Sequence, residues 1–121
     1  MSVRAEKVAS VIKRALTSPI SELAHEYSAG LVTITSVRLS NDLQIAKVYL
    51  SLYNSKISQA KFISLLEDKN RYLRSVIGSS IRLRQTPELR FYIDDTLNEM
   101  EHIQKLLDSV KSKTETNENN L

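Results

Sequence analysis

The stretch Lys69-Asn70-Arg71-Tyr72-Leu73-Arg74-Ser75-Val76-Ile77-Gly78-Ser79-Ser80-Ile81-Arg82-Leu83-Arg84-Gln85-Thr86-Pro87-Glu88-Leu89-Arg90, continuing into Phe91-Tyr92-Ile93, changes its periodicity partway along. Leu73, Val76, Ile77 and Ile81 recur at three and four residues, the spacing of one buried helical stripe. Thr86-Pro87 ends that run, because a proline pushes the residue before it out of helical geometry. From Glu88 onward, Leu89, Phe91 and Ile93 alternate with Arg90 and Tyr92, the period of a strand with one buried face. On the helical net Arg71, Arg74, Gly78 and Arg82 follow at steps of three, four and four. Guanidinium groups therefore fall above and below a glycine, away from the apolar stripe. An interior glycine costs about 1 kcal/mol relative to alanine in a regular helix. Its presence marks a kink or a surface that something approaches closely.

Working outward, residues 57–77 carry helical spacing upstream, with Phe62, Leu65 and Leu66 added to the candidate buried set. The polar run Glu67-Asp68-Lys69-Asn70 offers a place for this stretch to divide into two helices. Residues 43–53 alternate, with Ala46, Val48, Leu50 and Leu52 on one face and Lys47, Tyr49, Ser51 and Tyr53 on the other. Residues 31–39 are rich in β-branched side chains and lack breakers, which predicts another strand. Ser40-Asn41-Asp42 between the two supplies turn chemistry, so they form an antiparallel hairpin. At the start, Val8, Val11, Ile12, Ala15 and Leu16 predict an amphipathic helix over residues 2–16. Ser18-Pro19 is expected to interrupt it, with Pro19 opening a separate short helix over 20–26. At the other end, Met100, Ile103, Leu106, Leu107 and Val110 predict a last helix over 97–110. The polar residues 112–121 lack the apolar surface needed to order them. The order helix, strand, strand, helix, helix, strand, helix implies an α+β domain, with helices packed on one face of a three-stranded sheet. Its expected extent is residues 1–110, with 111–121 as a polar, disordered tail.

Length and composition narrow the function classes. A chain of 121 residues, 41% apolar and 26% charged, suits one soluble domain. With no cysteine there is no disulfide, thiolate metal site or thiol nucleophile. Only two glycines are present, too few for a dinucleotide fingerprint or a phosphate loop. His25 and His102 lie in different segments without ligand spacing. Asp94-Asp95 reads as a turn or helix-capping pair more readily than as a magnesium site. No enzyme, metal, cofactor or small-molecule substrate is expected. No run approaches the ~18 apolar residues of a membrane span, and the N-terminal residues lack the apolar stretch of a secretory signal. A cytoplasmic location is expected.

Charge is unevenly distributed. Residues 1–60 carry 7 basic and 4 acidic side chains, 61–93 carry 7 and 3, and 94–121 carry 3 and 7. The body is thus basic and the C-terminal segment acidic, which raises nucleic acid as a partner. Arginine forks suit bidentate phosphate contacts, and the serines around Gly78 add hydroxyl donors beside a bare backbone. Such contacts position RNA without reading its sequence. A solvated basic helix, with the glycine as a packing device, is the competing reading of the same spacing.

The run Leu73-Arg74-Ser75…Gly78…Ile81-Arg82-Leu83-Arg84-Gln85-Thr86-Pro87-Glu88-Leu89-Arg90-Phe91…Asp94-Asp95 resembles the signature of bacterial ribosome-binding factor A. Arg4 and the first helix, Val32-Thr33-Ile34-Thr35-Ser36-Val37-Arg38-Leu39-Ser40, Asp42-Leu43…Ala46-Lys47-Val48-Tyr49-Leu50-Ser51 and the closing Ile103…Leu106-Leu107 resemble the same family in order, so that the likeness covers roughly residues 2–110. It implies a single type II KH-like domain in which a helix–kink–helix replaces the usual KH loop, with the kink at or just before Gly78. It further implies a monomer that binds the free small (30S) ribosomal subunit and assists late maturation of 16S rRNA around its 5′ end, in a family linked to cold adaptation. Carried onto this chain, the expected rRNA contacts are Arg71, Arg74, Ser79, Arg82 and Arg84, supported by Arg4, Lys7 and Arg14 on the first helix and Arg38 on the sheet. A protein-interaction module using the hairpin's free edge is the alternative.

Overall fold

The computed structural model describes residues 2–81 and 85–94. Six elements follow in order: α1 (Val3–Glu26), β1 (Leu31–Leu39), β2 (Ile45–Tyr53), α2 (Gln59–Asp68), α3 (Asn70–Ser80) and β3 (Glu88–Ile93). The expected helix over 97–110 and the tail lie outside the described residues.

The sheet has the order β1-β2-β3. β1 and β2 form the antiparallel hairpin, while β3 runs parallel to β2 on its other side. Parallel neighbours require a long crossover, and α2 with α3 supplies it. One edge of the hairpin is therefore covered, leaving that of β1. The register of β1 against β2 skips between Ile34 and Ser36, a bulge at Thr35. An extra residue there changes the phase of the alternation, so Val32 and Ile34 before it and Val37 and Leu39 after it all face the core.

The helices cover one face of this sheet. Ala46, Val48, Leu50 and Leu52 point into the core against Ile12, Leu16, Ile20, Phe62, Leu66, Leu73, Ile77, Leu89 and Phe91. Full burial of each large aliphatic or aromatic side chain contributes about 1.5–3 kcal/mol. No buried side-chain nitrogen or oxygen among the described residues lacks a partner.

Two expectations are corrected. Pro19 does not interrupt the first helix; α1 runs through it as one element of 24 residues. Pro19 has no N–H to offer the Ala15 carbonyl, a loss of about 3 kcal/mol in a helix interior. The buried stripe Ala5, Ala9, Ile12 and Leu16 nevertheless continues in step through Pro19, Ile20, Leu23 and Ala24. Burial of Ile20 and Leu23 alone matches that cost. The second correction concerns the kink. α3 passes through Gly78 unbroken, and the helical run divides earlier, at Lys69. Asn70 fixes that junction by donating to the Leu89 carbonyl at 3.1 Å.

The turns explain two further residues. Gly30 has φ +73°, and a Cβ there would lie 2.7 Å from the Asn54 carbonyl oxygen and nearer still to that of Tyr53. In the hairpin turn, Ser40 Oγ donates to Asp42 Oδ1 at 2.6 Å, and both atoms accept from the Gln44 amide. The Ser40 hydroxyl, then the Gln44 amide, hold the Asp42 carboxyl below its ordinary value. No helix among the described residues is long and apolar enough to cross a membrane.

Gly30→Ala is expected to destabilise the domain by about 3 kcal/mol, read as a lower midpoint of urea unfolding, because left-handed strain and a backbone collision coincide. Because the Asp42 pKa is depressed by folding, its contribution to stability is present above the unfolded value of about 3.9 and is lost as pH falls through the folded value. Ser40→Ala should move the Asp42 titration upward in an NMR pH series, and an unchanged titration would remove the hydroxyl as its cause.

Candidate nucleic-acid interface

The cations expected to meet RNA separate into two surfaces. On α1, Arg4, Lys7 and Arg14 are spaced by three and seven residues and share one exposed face. That face lies opposite the stripe of Ala5, Ala9, Ile12 and Leu16, so it points away from the sheet. None of the three has an ion-pair partner among the described residues. The face is polar along its length: its cations belong to the first half of the helix, while Glu22 and Glu26 stand exposed in the second half. There they line a cleft with Pro19, Leu23, Lys69 and Tyr72, where α3 begins beside α1.

On α3, Arg71 and Gly78 are exposed, opposite buried Leu73 and Ile77. Ser79 is exposed too, and its hydroxyl donates to the Ser75 carbonyl at 3.1 Å, one of three such back-bonds with Ser75 to Tyr72 and Ser80 to Val76. Each hydroxyl keeps acceptor capacity but spends its proton within the helix.

Arg74 departs from the expected stripe. It is half-buried, its Nε donates to the Pro87 carbonyl at 3.3 Å, and its Nη2 donates to the Thr86 carbonyl at 3.1 Å. The guanidinium holds the segment that leads into β3. Gly78 serves the same crossing, since a Cβ there would lie 3.3 Å from Thr86 Oγ1. The close approach that the glycine permits is therefore made by the chain's own Thr86. Arg82 and Arg84 lie outside the described residues.

Arg38 belongs elsewhere altogether. It projects from β1 on the side of the sheet that no described helix covers, so it shares no surface with Arg4, Lys7 and Arg14. The register sets it beside Lys47 of β2, and Lys47 beside Arg90 of β3. In the next row Ser36, Tyr49 and Tyr92 are neighbours, with the two tyrosine rings stacked at 5.4 Å between centroids. The alternation had placed Lys47, Tyr49, Arg90 and Tyr92 outward, but without the register nothing marked them as a group. Arg90 pairs with Glu88 at 3.4 Å, both exposed. Asp94, at the end of β3, accepts the Thr35 hydroxyl at 2.6 Å. No group of three potential metal ligands occurs among the described residues.

Comparison with known proteins gives one consistent family. Residues 4–107 match the family model described as ribosome-binding factor A. The ribosome-binding factor A of Chlorobaculum tepidum is 40% identical over 113 residues, which cover 92% of this chain and 93% of that protein. The crystal structure of ribosome-binding factor A from Thermus thermophilus superposes with a TM-score of 0.63 at 26% identity, covering 74% of this chain and 94% of the other. A homology model of the Thermus thermophilus ribosome-binding factor A, fitted into the cryo-EM map of its complex with the 30S subunit, gives a TM-score of 0.59 at 27% identity, covering 70% of this chain and 89% of the other. The shared architecture is the KH-like α+β domain, its two helices meeting at Lys69 in this chain.

Arg71 and Arg74 can be told apart by stability alone. Arg74→Ala should cost about 1.5–3 kcal/mol in chemical denaturation, the range for hydrogen bonds from a charged donor. Arg71→Ala should stay within about 0.5 kcal/mol of the unaltered protein. Equal effects would remove the distinction drawn between them.

Proposed function

The chain belongs to the ribosome-binding factor A family, and on that premise we propose that it is an assembly factor for the small ribosomal subunit. It binds the free 30S subunit in the cytoplasm as a monomer and assists late maturation of 16S rRNA around its 5′ end, a role suited to growth in the cold. It does so by occupancy and without catalysis, holding immature rRNA in one arrangement until the subunit rearranges and releases it. Residues 1–110 form the RNA-binding domain and 111–121 a polar tail.

The observation that carries this reading is the outward face of α1. Arg4, Lys7 and Arg14 are exposed, lie opposite the buried stripe, and have no ion-pair partner among the described residues. Cations so placed meet phosphates without first giving up an internal salt bridge. Arg71 on α3 adds a donor on the helical side of the domain and Ser79 an acceptor, and Arg82 and Arg84 are assigned to the same contact. Arg74 supports it from behind by fixing the Thr86–Pro87 segment. The complex of the Thermus relative with the 30S subunit supports the choice of partner.

Sedimentation with isolated 30S subunits tests the reading. The variant R4Q/K7Q/R14Q should lose binding and show a shallower salt dependence. Each lost phosphate contact lowers the log–log slope by about 0.9 for duplex or about 0.7 for single-stranded RNA. An unchanged slope, or equal binding to 30S and to mature ribosomes, would overturn it.

A further inference from the structure

We propose that the open face of the sheet is a second RNA surface, which takes a single-stranded segment along the row Arg38-Lys47-Arg90 and stacks a base on Tyr92. The two rows that make it are fixed by strand register. Arg38, Lys47 and Arg90 come from three different strands yet lie side by side, all exposed. With strands about 4.8 Å apart, the three cations span about 10 Å. Neither Arg38 nor Lys47 has an ion-pair partner among the described residues. Arg90 is shared with Glu88 through an exposed contact of 3.4 Å, a geometry that contributes little and exchanges readily for a phosphate. Two residues further along each strand, about 7 Å away, Tyr49 and Tyr92 stack at 5.4 Å with their planes 26° apart. Tyr49 is half-buried and backs the pair, whereas Tyr92 remains 39% exposed.

This combination selects its occupant. A row of cations alone would suit any polyanion, including an acidic peptide. An exposed aromatic plane one row from the cations offers a base its flat face while the backbone follows the charges, the arrangement by which single strands are held without sequence preference. Duplex RNA keeps its bases stacked on one another and gains nothing from the tyrosines. Ser36 and Arg38 with Tyr49 and Asp94 line a shallow cleft on the β1 side of the stacked pair, continuing the polar surface across the sheet. The surface stands on the side of the sheet away from α1, so it does not rest on the contact proposed for the helices.

Fluorescence anisotropy of a labelled oligouridylate titrated with the full chain tests the proposal. Tyr92→Ala should weaken binding about 30-fold, the middle of the range for loss of one base–aromatic stack, whereas Tyr92→Phe should stay within about twofold. The variant R38Q/K47Q should lower the log–log salt slope by about 1.4, two single-strand phosphate contacts at ~0.7 each. Circular dichroism checks that each variant is folded, and R38Q/K47Q keeps the test decisive should Tyr92→Ala misfold. No oligouridylate binding by the unaltered chain, or equal binding and slope in the folded variants, overturns the proposal. A matched duplex bound with the same Tyr92 dependence does so too. The helix face is read separately, by subunit sedimentation of R4Q/K7Q/R14Q, so either surface can fail alone.

Discussion

Strand β2 is the constraint from which the rest of the domain follows. It is hydrogen-bonded on both edges, antiparallel to β1 and parallel to β3, and its inner residues Ala46, Val48 and Leu50 are wholly excluded from solvent. A hairpin alone would have left one edge of β2 open. Closing that edge with a parallel strand obliges the chain to cross over the sheet, and α2 and α3 are that crossing. The layer so formed buries Phe62, Leu66, Leu73 and Ile77 above β2, and no described helix covers the other side of the sheet. Central placement also gives Lys47 and Tyr49 a neighbour on each side. The arrangement of cations on the outer face is thus a consequence of the same pairing that builds the core.

The junction between α3 and β3 shows how one residue pattern can satisfy two physical demands. Arg74 and Gly78 are four apart on a helix, a spacing that suits a phosphate chain. The segment before β3 has the same needs as an RNA backbone. Its carbonyls at Thr86 and Pro87 precede the strand ladder and need donors, and its Thr86 hydroxyl lies close to the helix at Gly78. A guanidinium beside backbone carbonyls and a helix position without a side chain meet both needs. Arg71, at the far end of the same stripe, has no such described segment against it and is exposed. The stripe is therefore divided by tertiary structure into an internal part and an outward part.

The legible part of the fold was whatever depends on alternation within one segment. The hairpin, the buried faces of β2 and β3, and the possible break at Glu67-Asp68-Lys69-Asn70 all follow from local spacing and polarity. The bulge at Thr35 is visible in hindsight, because apolar residues at 32 and 34 and again at 37 and 39 cannot share a face without an extra residue between them. At Pro19 the local penalty is visible in the sequence, whereas the two turns of burial that offset it depend on the packing of α1 on the sheet. Of the site, the α1 cations were legible because 4, 7 and 14 fall on one helical face opposite the apolar stripe. The outer row of the sheet was not, since Arg38, Lys47 and Arg90 belong to three segments whose mutual register is set only by β2 pairing on both sides.

Composition gave the first 93 residues 14 basic and 7 acidic side chains, an excess that reads as one basic body. Among the described residues the structure sets cations on two sides of a two-layer domain. A helix with its side chains is about 10–12 Å across, and the sheet lies beyond it, so the α1 cations and the Arg38-Lys47-Arg90 row are separated by more than the ~8 Å Debye length at physiological salt. Each group therefore attracts an anionic polymer on its own account, and a phosphate held by one is screened from the other. The geometries differ as well. Helical cations spaced by three and seven residues follow a line along one element, whereas the sheet row crosses three strands beside a stacked aromatic pair. A line of charge without a stacking plane suits the backbone of structured RNA, and a charged row with one suits bases already released from pairing. On the two proposals made above, opposite faces of a thin domain would engage chemically different parts of a folding RNA, without competing for the same phosphates.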